Sequence, residues 1–424
     1  MSLIEDSLAT NQHQERRTLM ATSQLKTAML SVHSCPVGNL GAKDTGGMSV
    51  YVRELARELG KQGLLVDVYT RLHDPRDSQV VKLGQNVRLI HLRAGEDKDI
   101  HKLAVYPLLP DFVRNLESFR RHNNLQYDLV FSHYWLSGWV GKSLQRWWNV
   151  PHITMFHTLG AVKKAIGIGE DESELRIETE TRLARNCRHI IATTEKEKEA
   201  LSRHYGASPE RISVIPCGVN LDLFQPKDRE VAKRQLGFSG DKVILYVGRI
   251  EPLKGIDRLL RAMTYLQNNH GLRLVIIGGD EHSCDEVERL QKLSRALRIE
   301  DSVTFLGMIK HEKLPCFYSA ATACVVPSYY ESFGLVALES IACGTPVVAT
   351  DVGGLKSIIH QGETGYVVMD NTPRELADKI ALLLSNHDTK SALSIRASVT
   401  RFSWSNIAQQ IIREVLASYS ARGH

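Results

Sequence analysis

Two carboxylates stand eight residues apart in the segment Glu331-Ser-Phe-Gly-Leu-Val-Ala-Leu-Glu339. The preceding run, residues 323–328, is apolar and β-prone and predicts a buried strand that ends near Pro327. A loop with Glu331 then leads through Gly334 into an apolar helix, whose first backbone N–H groups are free to bind an anion such as phosphate. Glu331 would stand at the mouth of that site, with Glu339 about two helical turns further on. The alternative is that both acids lie on a solvated helix face.

Two cations occupy opposite ends of the loop Val247-Gly-Arg-Ile-Glu-Pro-Leu-Lys-Gly255, which follows another apolar strand. At the carboxyl end of a strand, Arg249 and Lys254 can clamp a diphosphate, the arginine through its forked guanidinium and the lysine as a point charge. The alternative is that each neutralises a surface acid. Their placement in one strand-end loop favours the diphosphate.

A glycine pair in Asp44-Thr-Gly-Gly-Met-Ser-Val-Tyr51 follows the first strand and opens the first helix. Gly46 and Gly47 would let a ligand approach backbone N–H groups, but a plain glycine turn explains the pair equally well.

Two histidines, His133 and His157, end consecutive predicted strands of the first half. A lone histidine at a strand end is usually hydrogen-bonded within the structure, but two at equivalent edges favour ligand contact by at least one. Lys102 and Arg176, taken singly, read as solvated surface charges.

Short apolar strands alternate with amphipathic helices along both halves of the chain, which predicts two doubly wound α/β domains with parallel sheets. The predicted strands are residues 29–33, 65–69, 87–91, 129–133, 153–157, 190–194 and 212–215 in the first half, and 243–247, 274–277, 303–305, 324–326 and 347–349 in the second. Ligands bind beyond the carboxyl ends of such strands, so two facing sheets would enclose one cleft.

The predicted organisation is a disordered arm at residues 1–25, a first domain at 26–218, a second at 219–400, and a terminal helix at 401–424 that packs back toward the first domain. A turn-rich stretch at residues 216–226 marks the joint.

Composition excludes several classes of protein. The net charge of +5 among 424 residues suits anionic small substrates, and without a dense Lys/Arg stripe it does not indicate a nucleic-acid partner. No apolar run approaches the ~20 residues that span a bilayer, and the first 25 residues lack the apolar core of a signal peptide. The seven cysteines form no CxxC pair, which predicts reduced thiols in a cytoplasmic protein. A homo-oligomer is left open.

Other catalytic signatures are absent from the sequence. The segment Ile276-Ile-Gly-Gly-Asp280 lacks the full GxGxxG spacing, and neither a P-loop nor a GxSxG elbow occurs. No DxD-type pair argues for a divalent metal, so we expect neither a metal nor another cofactor.

Taken together, residues 44–51, the Gly-Arg…Lys-Gly loop and the Glu-x7-Glu segment resemble the retaining glycosyltransferases of family 4, which have the GT-B fold of two Rossmann-like domains facing across a cleft. The resemblance extends from about Lys26 to the end of the chain. Its most specific part is Glu-x7-Glu with Phe333-Gly-Leu335, followed by Ala342-Cys-Gly-Thr-Pro-Val-Val. The chain is most similar to the branch acting on phosphorylated acceptors: sucrose-phosphate synthases and the inositol-phosphate N-acetylglucosaminyltransferases of mycothiol synthesis.

The resemblance implies roles for individual residues. Arg249 and Lys254 would stabilise the leaving nucleotide diphosphate, Glu331 would hold hydroxyls of the donor sugar, and Glu339 would hold the ribose. His157 would lie beside the transferred sugar. Further donor contacts are implied for Gly46, Gly47, Phe333, Gly334 and Leu335, with the base held near Gly307, Met308 and Ile309. The acceptor phosphate would bind Lys102, Tyr134, Thr158 and Arg176.

The implied reaction moves a hexose from a nucleotide sugar, most simply UDP-glucose, to a sugar phosphate such as fructose 6-phosphate. Sucrose-phosphate synthases usually carry Gly-Gly-Gln and Gly-His-Ser where this chain has Gly46-Gly-Met48 and Phe156-His-Thr158, which is nearer to the inositol-phosphate enzymes. N-acetylglucosaminyl transfer to an inositol phosphate is therefore the alternative. A UDP-sugar epimerase on the same fold and a non-catalytic nucleotide-sugar-binding protein are two further alternatives.

Overall fold

Two β-sheets, one in each half of the chain, form the framework of the computed structural model. It describes residues 25–38, 46–168, 172–238, 240, 242–267, 269–385 and 391–420. The predicted N-terminal arm therefore lies outside the described residues apart from Leu25, and so do Asp44 and Thr45.

The first sheet has eight strands in the order β3-β4-β2-β1-β5-β6-β7-β8. They are β1 (Lys26–Leu30), β2 (Leu65–Arg71), β3 (Val80–Gly84), β4 (Val87–Leu92), β5 (Leu129–His133), β6 (His152–Met155), β7 (His189–Ala192) and β8 (Ile212–Val214). Edge strand β3 runs antiparallel to β4, which corrects the prediction of a purely parallel sheet. It escaped the sequence prediction because it is half exposed and lacks a continuous apolar run.

The second sheet has six parallel strands in the order β11-β10-β9-β12-β13-β14. They are β9 (Lys242–Val247), β10 (Leu272–Ile277), β11 (Val303–Gly307), β12 (Ala323–Val326), β13 (Val347–Thr350) and β14 (Gly365–Val368). Strand β14 was not predicted, because its four residues begin with glycine and give too short an apolar pattern.

Helices connect the strands and cover both sheets. Those of the first half are α1 (Gly47–Lys61), α2 (Lys102–Val105), α3 (Leu109–His122), α4 (Tyr134–Trp148), α5 (Gly160–Ile166), α6 (Glu174–Asn186) and α7 (Glu195–Tyr205). The remainder are α8 (Arg229–Leu236), α9 (Ile256–Met263), α10 (Cys284–Ala296), α11 (Leu314–Ala320), α12 (Leu335–Ala342), α13 (Leu355–Ile358), α14 (Pro373–Ser385), α15 (Ala392–Ala397) and α16 (Trp404–Ser420). With the carboxyl ends of the strands facing one cleft, the architecture is the GT-B fold.

Helix α16 lies against α1. Gln62 donates to the carbonyl of Ser405 at 3.0 Å, and the Trp404 ring meets Tyr51 edge-on with centroids 5.2 Å apart. Ser403 caps the helix through the backbone N–H of Asn406. None of the described helices is long and apolar enough to cross a membrane.

Candidate active site

A cavity of about 330 Å³ opens between the carboxyl ends of the two sheets. From the first half it is lined by Gly46, Gly47, Lys102, Tyr134, His157, Thr158 and Arg176, and from the second half by Arg249, Lys254, Met308, Ile309, Glu331, Phe333, Gly334, Leu335 and Glu339. Every predicted site residue except Gly307 thus lines it. Gly307 ends β11, and its carbonyl accepts from the N–H of Gly278 at 2.9 Å, so it belongs to the sheet edge.

The loops after β9 and β12 meet through an ion pair. Lys254 Nζ lies 2.6 Å from Glu331 Oε1, which also accepts from the Ser328 hydroxyl at 2.8 Å. Gly255 allows this close approach of the two loops. Its φ is +65°, and a Cβ at this position would collide with the carbonyl oxygen of Pro327, so only glycine fits. Both bonds end on Oε1, so Oε2 can accept from a ligand hydroxyl.

The other cation of the loop, Arg249, contacts Glu251 at 2.9 Å. Its guanidinium also reaches the start of α1 in the opposite domain, since a Cβ on Gly46 would lie 3.9 Å from Arg249 Nε. The arginine therefore lies where the two halves of the cavity meet.

Helix α12 begins at the cavity as predicted, with Gly334 at its N-cap. Gly334 has a φ of +111°, and a Cβ there would meet the Leu355 side chain at 2.6 Å, so this position requires glycine. The next residue, Leu335, packs 3.2 Å from the position of a Cβ on Gly47. The first N–H groups of α12 thus lie opposite the start of α1 across a narrow gap.

Glu339, in the second turn of α12, is buried with a partner on each oxygen. His311 Nε2 donates to Oε1 at 2.8 Å, and the Tyr318 hydroxyl donates to Oε2 at 2.8 Å. Burial opposes protonation of His311, but the charge and hydrogen bond of Glu339 outweigh it and raise the pKa of the imidazole. Each carboxylate oxygen keeps a second acceptor site, which a ribose hydroxyl could use.

Arg176 is held in a closed network on the first domain's wall, with its side chain only 1% exposed. Its Nε donates to Glu180 and its Nη1 to Glu172, each at 2.7 Å, and its Nη2 donates to both oxygens of Thr158 at 2.9 Å. The guanidinium also lies over the Tyr134 ring at 4.9 Å. Two carboxylates compensate its charge, so Arg176 positions Thr158 and Tyr134 more than it offers a free fork to an anion.

Two further side chains line this wall that the sequence did not single out. Lys163 lies 2.5 Å from Glu172 and its side chain is 18% exposed, which gives the wall an additional cation. His33 packs against Tyr134 with ring centroids 4.4 Å apart and ring planes tilted by 32°, and burial lowers the pKa of its imidazole to about 3. Lys102 opens the short helix α2, whose N-cap is His101.

His133 and His157 share a hydrogen bond of 2.9 Å between Nδ1 and Nε2 respectively. The predicted strand 153–157 ends early, at Met155, and His157 adopts a φ of +62° that turns it into the cleft. Burial lowers the pKa of His157 to about 3 and that of His133 well below its ordinary value. Both imidazoles are therefore neutral near pH 7, and His157 is suited to hydrogen bonding rather than to carrying charge.

No group of three metal-ligating side chains was found among the residues that the structure describes. Charge in the cavity comes from lysine, arginine and glutamate side chains.

Comparison with known proteins identifies the family. Residues 45–223 match the model for Glycosyltransferase Family 4, and residues 228–399 match the one for Glycosyl transferases group 1. The D-inositol 3-phosphate glycosyltransferase of Corynebacterium glutamicum (strain R) is 37% identical over 398 residues, covering 91% of this chain and 95% of the relative. The chain belongs to glycosyltransferase family 4.

Other members of this group give the same result. The D-inositol 3-phosphate glycosyltransferase of Corynebacterium jeikeium (strain K411) is 39% identical over 399 residues, covering 91% of this chain and 95% of the relative. Sucrose-phosphate synthase from Thermosynechococcus elongatus superposes with a TM-score of 0.85 at 35% identity, covering 94% of this chain and all of that one. The GT-B fold and the transferase class that the sequence predicted are thereby confirmed for this glycosyltransferase.

Proposed function

We propose that this glycosyltransferase moves glucose from UDP-glucose to fructose 6-phosphate with retention of configuration. The observation that carries the proposal is the distribution of cations in one cavity: Arg249 and Lys254 on one wall, Lys102 and Lys163 on the other. Two separated cationic groups suit a reaction that brings together two phosphorylated substrates.

The second domain supports a nucleoside-diphosphate donor. Arg249, Lys254 and the first N–H groups of α12 can hold the diphosphate, and Glu339 lies where it can accept from the ribose. Glu331 keeps Oε2 for hydroxyls of the transferred sugar. These groups all lie at the carboxyl ends of β9 and β12, which are neighbours in the sheet.

The first domain supports a phosphorylated acceptor. Lys102, Lys163, Thr158 and Tyr134 surround one corner of the cavity, and Arg176 fixes the last two. A sugar phosphate bound there would direct a hydroxyl across the cleft toward the donor. The proposed acceptor is also the one implied by the name of the sucrose-phosphate synthase that this chain resembles.

In the proposed reaction the acceptor oxygen attacks the anomeric carbon from the face that UDP leaves. A bond forms between that oxygen and the sugar as the bond to the diphosphate breaks, and a diphosphate oxygen takes the acceptor's proton. Arg249 and Lys254 stabilise the charge that develops on the leaving group. His157, neutral and beside the cavity, can accept or donate a hydrogen bond to the sugar. Because Arg249 and Lys254 can neutralise the leaving diphosphate without a metal ion, we expect turnover to persist in EDTA.

The second candidate is transfer of N-acetylglucosamine to D-inositol 3-phosphate. It is favoured by the 37–39% identity to the two inositol-phosphate enzymes. The same cavity would bind this acceptor, with the hydroxyl-bearing inositol ring in the place of the furanose ring of fructose 6-phosphate.

The test is to incubate each donor, UDP-glucose and UDP-N-acetylglucosamine, with each acceptor, fructose 6-phosphate and D-inositol 3-phosphate, and to follow UDP release. The proposal expects UDP-glucose with fructose 6-phosphate to be fastest. Turnover by the second pair alone would replace the first proposal by the second. Conversion of the nucleotide sugar without any acceptor would favour an epimerase, and binding without turnover would favour a non-catalytic nucleotide-sugar-binding protein.

A further inference from the structure

A hydrogen bond crosses the cleft at Tyr330. The backbone N–H of Leu159, in the first domain, donates to the Tyr330 hydroxyl of the second domain at 3.2 Å. Tyr330 lines the cavity, so this bond lies beside the space that the substrates would fill.

Each end of this bond is joined through one peptide to a residue of the site. Tyr330 precedes Glu331, which Lys254 and Ser328 hold on the donor wall. Leu159 follows Thr158, which Arg176 holds on the acceptor wall through two hydrogen bonds. The bond therefore links two rigidly supported loops that face each other.

Further contacts also join the two domains. Thr193 Oγ1, which donates to Glu197 Oε2 at 2.7 Å, lies 3.4 Å from the carbonyl oxygen of Ser332, and Lys196 Nζ pairs with Asp351 Oδ1 at 2.7 Å. The Lys196 side chain is 54% exposed, so this outer ion pair contributes little on its own. Among these contacts, the one made by Tyr330 is the one whose two ends adjoin site residues of both walls, Glu331 and Thr158.

We propose that Tyr330 is a positioning residue that fixes the separation of the donor and acceptor walls. The charged groups assigned to the donor, Arg249, Lys254, Glu331 and Glu339, lie in the second domain, so loss of the bond should leave donor binding almost unchanged. Transfer requires both walls at a fixed distance, because a small misplacement of the acceptor oxygen slows attack. An enzyme whose cleft opens more often also admits water to the donor. The inference rests on glycosyl transfer in this cleft and holds for either acceptor.

The experiment compares Tyr330→Phe with Tyr329→Phe. The two variants lose the same atom from neighbouring residues, but the Tyr329 hydroxyl accepts from Arg258 within the second domain. We expect Tyr330→Phe to lower kcat by about 2- to 10-fold, the loss of one neutral hydrogen bond, with KM for UDP-glucose within about 2-fold. The ratio of transfer to donor hydrolysis should fall by a similar factor, and Tyr329→Phe should leave the ratio unchanged.

Hydrogen exchange measured by mass spectrometry gives a readout that needs no substrate. The amide of Leu159 should exchange faster in Tyr330→Phe than in the wild type and in Tyr329→Phe. Unchanged exchange at Leu159, or equal transfer-to-hydrolysis ratios in the two variants, would overturn the assignment. If faster exchange accompanies an absence of transfer to either acceptor, the contact stands and the proposed acceptors are wrong.

Discussion

Lys254 Nζ and Glu331 Oε1 lie 2.6 Å apart, although they are 77 residues apart in the chain. They meet because the strands before their loops, β9 and β12, are neighbours in the sheet. The pair ties the cation expected at the diphosphate to the acid expected at the transferred sugar. A donor bound here would contact both members at once, so each should matter to turnover.

Replacing Lys254 by methionine should lower kcat/KM by about 10²–10³-fold, because the leaving diphosphate loses a cation in a partly desolvated site. UDP release measured with the best donor and acceptor reports the loss. Lys292→Met, which removes an exposed lysine on α10, is the matched control and should be neutral. Equal activity of the two variants would remove Lys254 from the site.

Lys163 and Lys164 are adjacent on α5 but differ in surroundings. Lys163 lines the cavity, whereas Lys164 is 44% exposed and pairs with Glu174. We expect Lys163→Met to raise KM for the sugar phosphate by about 10-fold, the worth of a charge-assisted hydrogen bond, without changing donor hydrolysis. Lys164→Met should leave KM unaltered. Steady-state kinetics of both variants measure these KM values. A rise in KM for Lys164→Met as large as that for Lys163→Met would contradict the placement of Lys163 at the acceptor phosphate.

The pH dependence of turnover should not contain the titration of His157. Burial lowers the pKa of this imidazole to about 3, so it is neutral between about pH 6 and about pH 8. His157→Gln should therefore lower kcat while the shape of its pH profile stays that of the wild type. A wild-type inflection near pH 6.5 that disappears in the variant would show that His157 titrates during turnover.

His311 should contribute stability that depends on pH. Burial opposes protonation of His311, but the negative charge of Glu339 and its hydrogen bond raise the pKa of His311 above the ordinary value of 6.5. Protonated His311 then stabilises the fold most at pH values below about 6.5, and the contribution is lost as the pH rises through the raised pKa. The difference in melting temperature between wild type and His311→Gln should be larger at about pH 6 than at about pH 9. A difference that grows with pH would refute the pairing, and the exposed His122→Gln provides the baseline.

Strand and helix order could be predicted because buried parallel strands form short apolar runs. The apolar run at residues 323–328 predicted the strand observed as β12, and the loop that follows leads into α12 at the predicted Gly334. The errors lie at sheet edges and strand ends. Strand β3 is half exposed, and His157 leaves the strand because of a left-handed backbone conformation that no apolar pattern reports.

The site could be predicted where a motif places a side chain at a strand end, as for Arg249, Lys254 and Glu331. It could not be predicted where the hydrogen-bond partner of a side chain comes from a distant segment of the sequence. The i, i+4 spacing of Glu172, Arg176 and Glu180 is a sequence signal for the buried network. No comparable sequence signal exists for Tyr330, because its partner is a backbone N–H of the opposite domain.

The most direct test of the account is whether the acceptor must carry a phosphate. UDP release from UDP-glucose should be measured with fructose 6-phosphate and with fructose, in the wild type and in Lys102→Met. We expect rapid release with the phosphorylated sugar, release little above donor hydrolysis with fructose, and a selective loss for the phosphorylated sugar in the variant. Equal rates with the two sugars would contradict the phosphate-binding wall, and so would a Lys102→Met variant that keeps full preference for fructose 6-phosphate.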